Sequence, residues 1–367
     1  MLSETTPIPA GQAGYLVRMA ARAPSLHNTQ PWRFKVGEDA IELYADRRRQ
    51  LPEDPAGREM LISCGAALYG LRLAVRSLGH RPEVDLLPGR ARSRRPLAPV
   101  PPDPVPPDPV PLARVRLGAA EPITPEEQKL LAAVLHRHTH RGPFEPGPLP
   151  GGLLPGLQRD AAAEGAVLTI VDEEQDGRDL AAIVAVASLR QALDPASRAD
   201  VERWTRDLDS PARDGVPAYA FPPTPAEPAG WLPPRDFDLG RGLGRMPAGE
   251  PPAGEPPAGE PLAGELPAAQ LPATQAAAPV TAILATPGDG AEDWLRAGQA
   301  LHRLLLRAAS QWVFGSLQTQ ALKVVWVRAL IRSQLTLPGW PQMLLQLGLA
   351  RTTHPTARRP PEELIDP

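Results

Sequence analysis

A single cysteine, Cys64, stands in the 367 residues, so no intramolecular disulfide can staple the fold. Lysine is almost as scarce: Lys35, Lys129 and Lys323 are the only ones, and the rest of the positive charge is arginine. That bias, with the surplus of Ala, Pro and Gly, reads as the codon usage of a GC-rich genome and carries no functional weight. A net charge of −3 excludes a strong field of either sign and gives nucleic acid nothing to find at long range. No apolar run approaches the roughly 18 residues of a membrane span, and no apolar leader with a small-residue cleavage site opens the chain. These absences predict a cytoplasmic protein with neither nucleic-acid nor membrane partners. A P-loop is missing too. The glycines of "GRGLG" (240–244) neither follow a strand nor open a helix, so they make no dinucleotide fingerprint.

Proline is abundant instead, at 49 residues, and much of it is gathered in two stretches. Residues 96–111 ("PLAPVPPDPVPPDPVP") lack the donors for a strand ladder and read as a polyproline II-like connection. Residues 248–267 repeat a five-residue unit ("AGEPP AGEPP AGEPL AGELP") that cannot bury a core and reads as disordered. Just before it, 209–247 has Pro, Gly and aromatics without periodicity, including Tyr219, Phe221, Trp231 and Phe237. So long a loop reads as a lid or as disorder; its aromatic surface either closes over a ligand site as a lid or packs on the helical flank, and the lid is the expectation.

Between these stretches, apolar periodicity places the elements. A helix is expected near 11–23, a hairpin from 32–37 and 40–46, and a helix along Leu61, Cys64, Leu68, Leu71, Val75 and Leu78, ended by Gly79. A strand at 82–87, a strand at 112–118 and a helix at 124–137 follow. The later chain predicts a helix at 149–164, a strand at 166–171, helices at 173–193 and 197–208, a strand at 280–286 and a helix from Asp293 to Ala309. An apolar segment at 342–347 and a basic tail, "RTTHPTARRP", complete it. "CGAALYGLRL" (64–73) and "AGQALHRLLL" (297–306) align without gaps, with Gly65/Gly298, Ala67/Ala300, Leu68/Leu301 and Leu71/Leu304 all 233 residues apart. Two amphipathic helices share Leu and Ala by chance, but each of these is followed by an apolar strand candidate, which suggests two halves of similar plan.

Two stretches carry candidate chemistry. "APSLHNTQPWRF" (23–34) sets Ser25, His27, Asn28, Thr29 and Gln30 before Pro31-Trp32. It is either a polar turn or a cradle for a neutral planar ligand, since Asn and Gln offer both donor and acceptor to a ring bearing carbonyl and N–H groups. "HRHTHRGPF" (136–144) alternates His with Arg137, Thr139 and Arg141. His136 and His140 are spaced to chelate on a helix, but no nearby Cys or carboxylate completes a set, and no metal is expected. On extended backbone Arg137, Thr139 and Arg141 would share one side, a plausible phosphate clamp or a solvated basic turn. Cys64, on the apolar helix stripe, reads as core rather than nucleophile.

Taken together these stretches resemble the nitroreductase family of FMN proteins. "APSLHNTQPWRF" is similar to the family's Ala-Pro-Ser-x-x-Asn-x-Gln-Pro-Trp signature, and "RHTHRGPF" to its Arg-Arg-Ser-x-Arg-x-Phe opening, with Thr139 in place of Ser. The end, from "DWLRAGQALHRLLL" through "LPGWPQMLLQLGLA" to "ARRP", resembles the family's closing helix, strand and phosphate-binding arginine. The Asn-Gln-Pro-Trp motif comes first here, an order that resembles the actinobacterial Acg-like branch, in which two fused halves imitate the usual dimer. The resemblance implies an α+β nitroreductase-like fold with two halves forming an intramolecular pseudo-dimer and a long lid-like insertion. The first half would span 1–120. The second would start over 121–208 and end over 279–367, with the lid at 209–247 and the repeat region at 248–278 between. It implies one FMN per chain: Ser25, Asn28, Gln30 and, less closely matched, His27 at the ring and ribityl chain, with Thr29 and Pro31 in the same turn. Arg137, Thr139, Arg141 and Arg358 or Arg359 would hold the phosphate. Gln320 belongs to "SLQTQAL" (316–322), which would line the ring, although Thr319 and Ala321 stand where Asn and Pro are expected. The implied activity is a ping-pong hydride transfer from NAD(P)H to a nitroaromatic or quinone acceptor, by a monomer imitating a dimer. The alternative is an FMN-sequestering protein with a lidded flavin and little turnover.

Overall fold

The computed structural model describes residues 6–9, 11–88, 110–220, 232, 279–350 and 355–366. The polyproline connection up to residue 109, the five-residue repeats, and Phe221, Trp231 and Phe237 lie outside the described residues. Helix α1 (Gln12–Ala20) leads through the polar turn into an antiparallel hairpin, β1 (Trp32–Val36) and β2 (Ala40–Ala45). Helix α2 (Arg58–Ser77), β3 (His80–Leu86) and β4 (Ala113–Ala120) follow. Helix α3 (Pro125–Ala133) starts with a capping box in which Glu127 N donates to Thr124 Oγ1 (3.2 Å) and Thr124 N donates to Glu127 Oε2 (2.8 Å). It stops four residues earlier than the periodicity predicts. The chain beyond it extends to pair with a distant strand, His140 N donating to Gly315 O (2.9 Å).

Next come α4 (Leu153–Ala163), β5 (Val167–Val171), α5 (Glu174–Leu193) and α6 (Pro195–Arg203). The helix expected to reach residue 208 ends at Arg203, because β6 (Thr205–Arg206) turns away to pair with β7 (Val216–Pro217), inside the stretch read as an aperiodic loop. The remainder is β8 (Val280–Thr286), α7 (Ala291–Ala309), β9 (Val313–Leu317), α8 (Val325–Gln334), β10 (Trp340–Leu349) and β11 (Ile365–Asp366).

Two main sheets result. One has the order β11-β1-β2-β4-β3, the other β5-β8-β10-β9. The apolar segment expected at 342–347 is the middle of β10, an inner strand of the second sheet. The first sheet is closed at its edge by the chain's far end: β11 pairs in parallel with β1, Phe34 opposite Ile365. One apolar core joins the sheets, from Leu43 and Val115 through Leu61, Leu68, Leu301 and Leu304 to Leu284 and Leu345.

At its centre α2 crosses α7, and the crossing needs glycine. A Cβ on Gly65 would run into the Leu295 carbonyl, and one on Gly298 into the Ile62 carbonyl. Ile62 and Leu295 are themselves 233 residues apart, as are the two glycines. Contact i-to-j therefore repeats as j-to-i, the pattern of a two-fold crossing, here within one chain. Tyr69 and His302, a further pair at the same offset, meet edge to face at 5.8 Å.

Candidate functional site

The turn Ser25–Pro31 is strained. His27, Asn28 and Gln30 have φ of 48°, 55° and 49°, in the left-handed region that side chains with a Cβ rarely adopt. Surrounding bonds hold it: Gln30 N donates to Ser25 Oγ (3.0 Å), Arg49 Nη1 to Thr29 O (3.0 Å) and Asp46 N to Pro31 O (2.9 Å). Cys64 Sγ also reaches Pro31 O (3.3 Å); buried, with its thiol pushed up by burial, it is part of the core.

Three parts of the chain meet at this turn. Asn28 Nδ2 donates to Gly215 O (3.0 Å) and Ala357 O (3.1 Å), while Asn28 Oδ1 is buried without a partner. Gln30 Nε2 donates to Arg213 O (2.7 Å), and Gln30 Oε1 accepts from Arg359 N (2.8 Å). The amide of Gln30 is thus committed to the protein at both ends. His27 and Thr29 are buried beside it, and Ser25 is half-buried.

The arginines converge on the same place. Arg137 follows α3 and donates from Nη2 to Arg22 O (3.3 Å), while its Nε and Nη1 are buried without partners. Arg358 Nη2 donates to Ala23 O (3.3 Å), and its Nε is buried without a partner. No carboxylate pairs with Arg22, Arg137 or Arg358 among the described residues. Burial and the charge of Arg22 pull Arg137 down to about 10. Burial, then Arg137, Arg22 and Arg141, lower Arg358 well below its ordinary value. Crowded cations with unused N–H groups make a site that an anion would relieve. Tyr219, raised by burial, feels both Arg358 and Arg141 and donates its hydroxyl to Pro355 O (3.2 Å).

The structure divides the pair at the tail. Arg358 faces the cluster, whereas Arg359 turns Nε and Nη2 to Glu363 (3.2 and 2.7 Å). Arg141 donates to Thr139 O (3.2 Å), and Thr139 bridges to Gly315. The intervening histidines pack against the protein: His136 on Trp312 (5.4 Å), His138 on Phe314 (4.4 Å) and His140 on Phe144 (4.7 Å). Gln320 makes no hydrogen bond to the turn among the described residues; it opens a 3₁₀ turn (Gln320–Lys323) and lines a cavity with residues of α5 and α8. Arg22, at the end of α1, is absent from the sequence expectations; its signal was its place two residues before Pro24 in the motif. Asp214 is likewise new: it accepts from Arg49 Nη1 (2.8 Å) and Arg206 Nη2 (2.8 Å), and so ties residues 213–215 down beside the turn.

A mixed α+β fold thus brings a strained amide-rich turn together with an arginine cluster that has no carboxylate among the described residues. No family model matches the chain. It is 31% identical over 363 residues to a Mycobacterium tuberculosis (strain H37Rv) protein named "Putative NAD(P)H nitroreductase Rv3131", covering 96% of this chain and 90% of that relative. It is 30% identical over 364 residues to "Uncharacterized protein Rv3127" of the same strain, with 95% and 91% covered. To "Putative NAD(P)H nitroreductase acg" it is 26% identical over 354 residues, with 95% and 93% covered. The chain belongs to the nitroreductase family, among its Acg-like proteins. Among the described residues no helix is long and apolar enough to cross a membrane.

Proposed function

We propose that this chain holds one FMN and acts as a nitroreductase-type oxidoreductase, accepting electrons from NAD(P)H and delivering them to a small nitroaromatic or quinone in a ping-pong cycle. The arginine cluster carries the reading. Arg137 and Arg358 keep buried N–H groups unused and find no carboxylate among the described residues, which fits a phosphate in charge and donor chemistry. Arg22, Arg137, Arg141 and Arg358 would hold that phosphate. Asn28 Oδ1, buried without a partner, is the acceptor left for an N–H of the ring or a ribityl hydroxyl. When bound, FMN supplies reversible hydride transfer, and the protein contributes binding, orientation and electrostatics. The reciprocal crossing of α2 and α7 supports two fused halves, 1–120 and 121–367, that replace a dimer interface, hence a monomer. The boundaries of the insertion at 209–247 follow the same reading.

A second reading, FMN sequestration, draws support from the contacts of Arg213 O and Gly215 O with Gln30 and Asn28, which cover the turn from one side. The purified protein should be yellow, with about one FMN per chain. A colourless protein that takes up no added FMN overturns both readings. Anaerobic NADPH separates them: rapid bleaching supports turnover, and persistent colour supports sequestration.

A further inference from the structure

A cavity of about 620 Å³ lies between α5, the 3₁₀ turn at Gln320–Lys323 and α8. That is the size of a site for a small molecule. Its walls are apolar: Ile183, Val186, Trp326 and Leu330 among them. Val186 is 65% exposed and Trp326 56%, an unusual state for two large apolar side chains lining one cavity.

The floor is polar and ordered. Lys323 and Glu53 form an ion pair, each side chain more than nine-tenths buried. Gln191 Nε2 donates to both oxygens of Glu53 (3.0 and 3.2 Å), so that carboxylate is fully engaged. The Lys323 ammonium has three donors, and Glu53 takes one. Beside it Gln320 is buried, its Oε1 has no partner, and its Nε2 makes only a long contact with Gln318 Oε1 (3.4 Å). Gln320, with an acceptor that has no donor, and Lys323, with an amine that has donors to spare, thus both line one apolar space. Glu53 and Lys323 cancel, as do Arg190 and Asp194 on the lining, so a charged guest would be buried uncompensated.

We infer that this cavity binds a neutral, flat, apolar molecule bearing one hydroxyl, whose oxygen accepts from Lys323 Nζ and whose proton is donated to Gln320 Oε1. None of the residues of the amide turn lines this cavity.

1-Naphthol is the probe, because its emission reports whether its hydroxyl is shielded from water. It should bind saturably to the protein as purified, with emission from the protonated form. It should bind about fivefold to tenfold more tightly than naphthalene, the worth of a neutral hydrogen bond. Gln320→Leu should abolish that preference. Val186→Arg, at an exposed position that leaves the fold intact, should weaken both probes about tenfold by placing a cation in the mouth. Absence of saturable binding, equal affinity for the two probes, or wild-type affinities in both variants would overturn the inference. FMN absorbance recorded on the same samples keeps the outcomes apart: a colourless protein with this binding pattern sinks the flavin reading alone.

Discussion

Two arginine clusters flank the central helices, and they differ in what they face. Between α4 and α7, Arg303 donates to Asp160 (2.9 Å) and Glu164 (3.0 Å), Arg307 to Asp160 (3.0 Å) and Glu126, and Arg72 to Glu164 (2.6 Å). Every guanidinium there has a carboxylate. Arg22, Arg137 and Arg358 have none among the described residues, and what they feel is one another. The first cluster is finished and serves the fold. Under the proposed function an anion completes the second, which would set a binding site apart from a structural ion-pair network.

Removing the crowded charges should cost function and spare the fold. For Arg137→Ala with Arg358→Ala we expect FMN affinity to fall by about two to four orders of magnitude, from two charge-assisted hydrogen bonds at about 1.5–3 kcal/mol each. Thermal stability without flavin should hold or rise, since like charges are relieved. Equilibrium dialysis and thermal melts of the same variant decide this, and a variant that melts much lower yet binds FMN normally would invert the comparison.

The paired cluster should respond in the opposite way. Asp160→Ala takes one carboxylate from Arg303 and Arg307, which keep Glu164 and Glu126, and because both arginines are partly exposed the cost is about 1 kcal/mol rather than the larger penalty of a stranded buried charge. Urea unfolding reads that loss. FMN affinity should not move.

The unpaired charges also reach His302. Buried on α7, it is held down to about 3 by burial first and by the charge of Arg137 next. Its unfolded value is near 6.5, so the unfolded chain takes up the proton first. Stability is complete above about pH 6.5 and declines as pH falls toward 3, at up to about 1.4 kcal/mol per pH unit. His138, also held near 3 by burial, acts in the same direction. His302→Phe should flatten the slope of unfolding free energy between pH 6 and 4 by one histidine's share. An unchanged slope would show that His302 is not titrating.

The sequence disclosed the helices and most strands because each carries its own period. α2 and α7 announce themselves through Leu61, Leu68, Leu301 and Leu304, and the repeated glycine at 65 and 298 marks where they cross. The amide turn and the alternating arginines were also legible, since side-chain identity is their whole content. What could not be read is what backbone carbonyls do. Arg213 O and Gly215 O, which engage Gln30 and Asn28, leave no trace in residue identity. Nor could β11, two residues long, be found from a pattern, since its partner β1 lies more than 300 residues away. Arg22 was hidden because at the end of an amphipathic helix an arginine is unremarkable until its neighbours are known.

Asp214 stands between the two regimes and tests whether the covering segment controls access. It pairs with Arg49 and Arg206, so its arginines are neutralised like those of the structural cluster, yet it holds residues that cover the turn at 25–31. Arg49 meanwhile donates to Thr29 O and lies over Trp204 at 5.8 Å, so one side chain links the turn, the carboxylate and the ring. Asp214→Ala removes two partly exposed ion pairs, worth about 1 kcal/mol together after solvent screening. That shifts a closed segment toward its open form about fivefold, without touching the cluster or the core. Dithionite should then reduce the bound flavin severalfold faster, while the melting temperature changes little. Equal reduction rates in the variant and the parent would mean that the contacts at 213–215 order the turn without guarding it, and that access to the site is governed from another side.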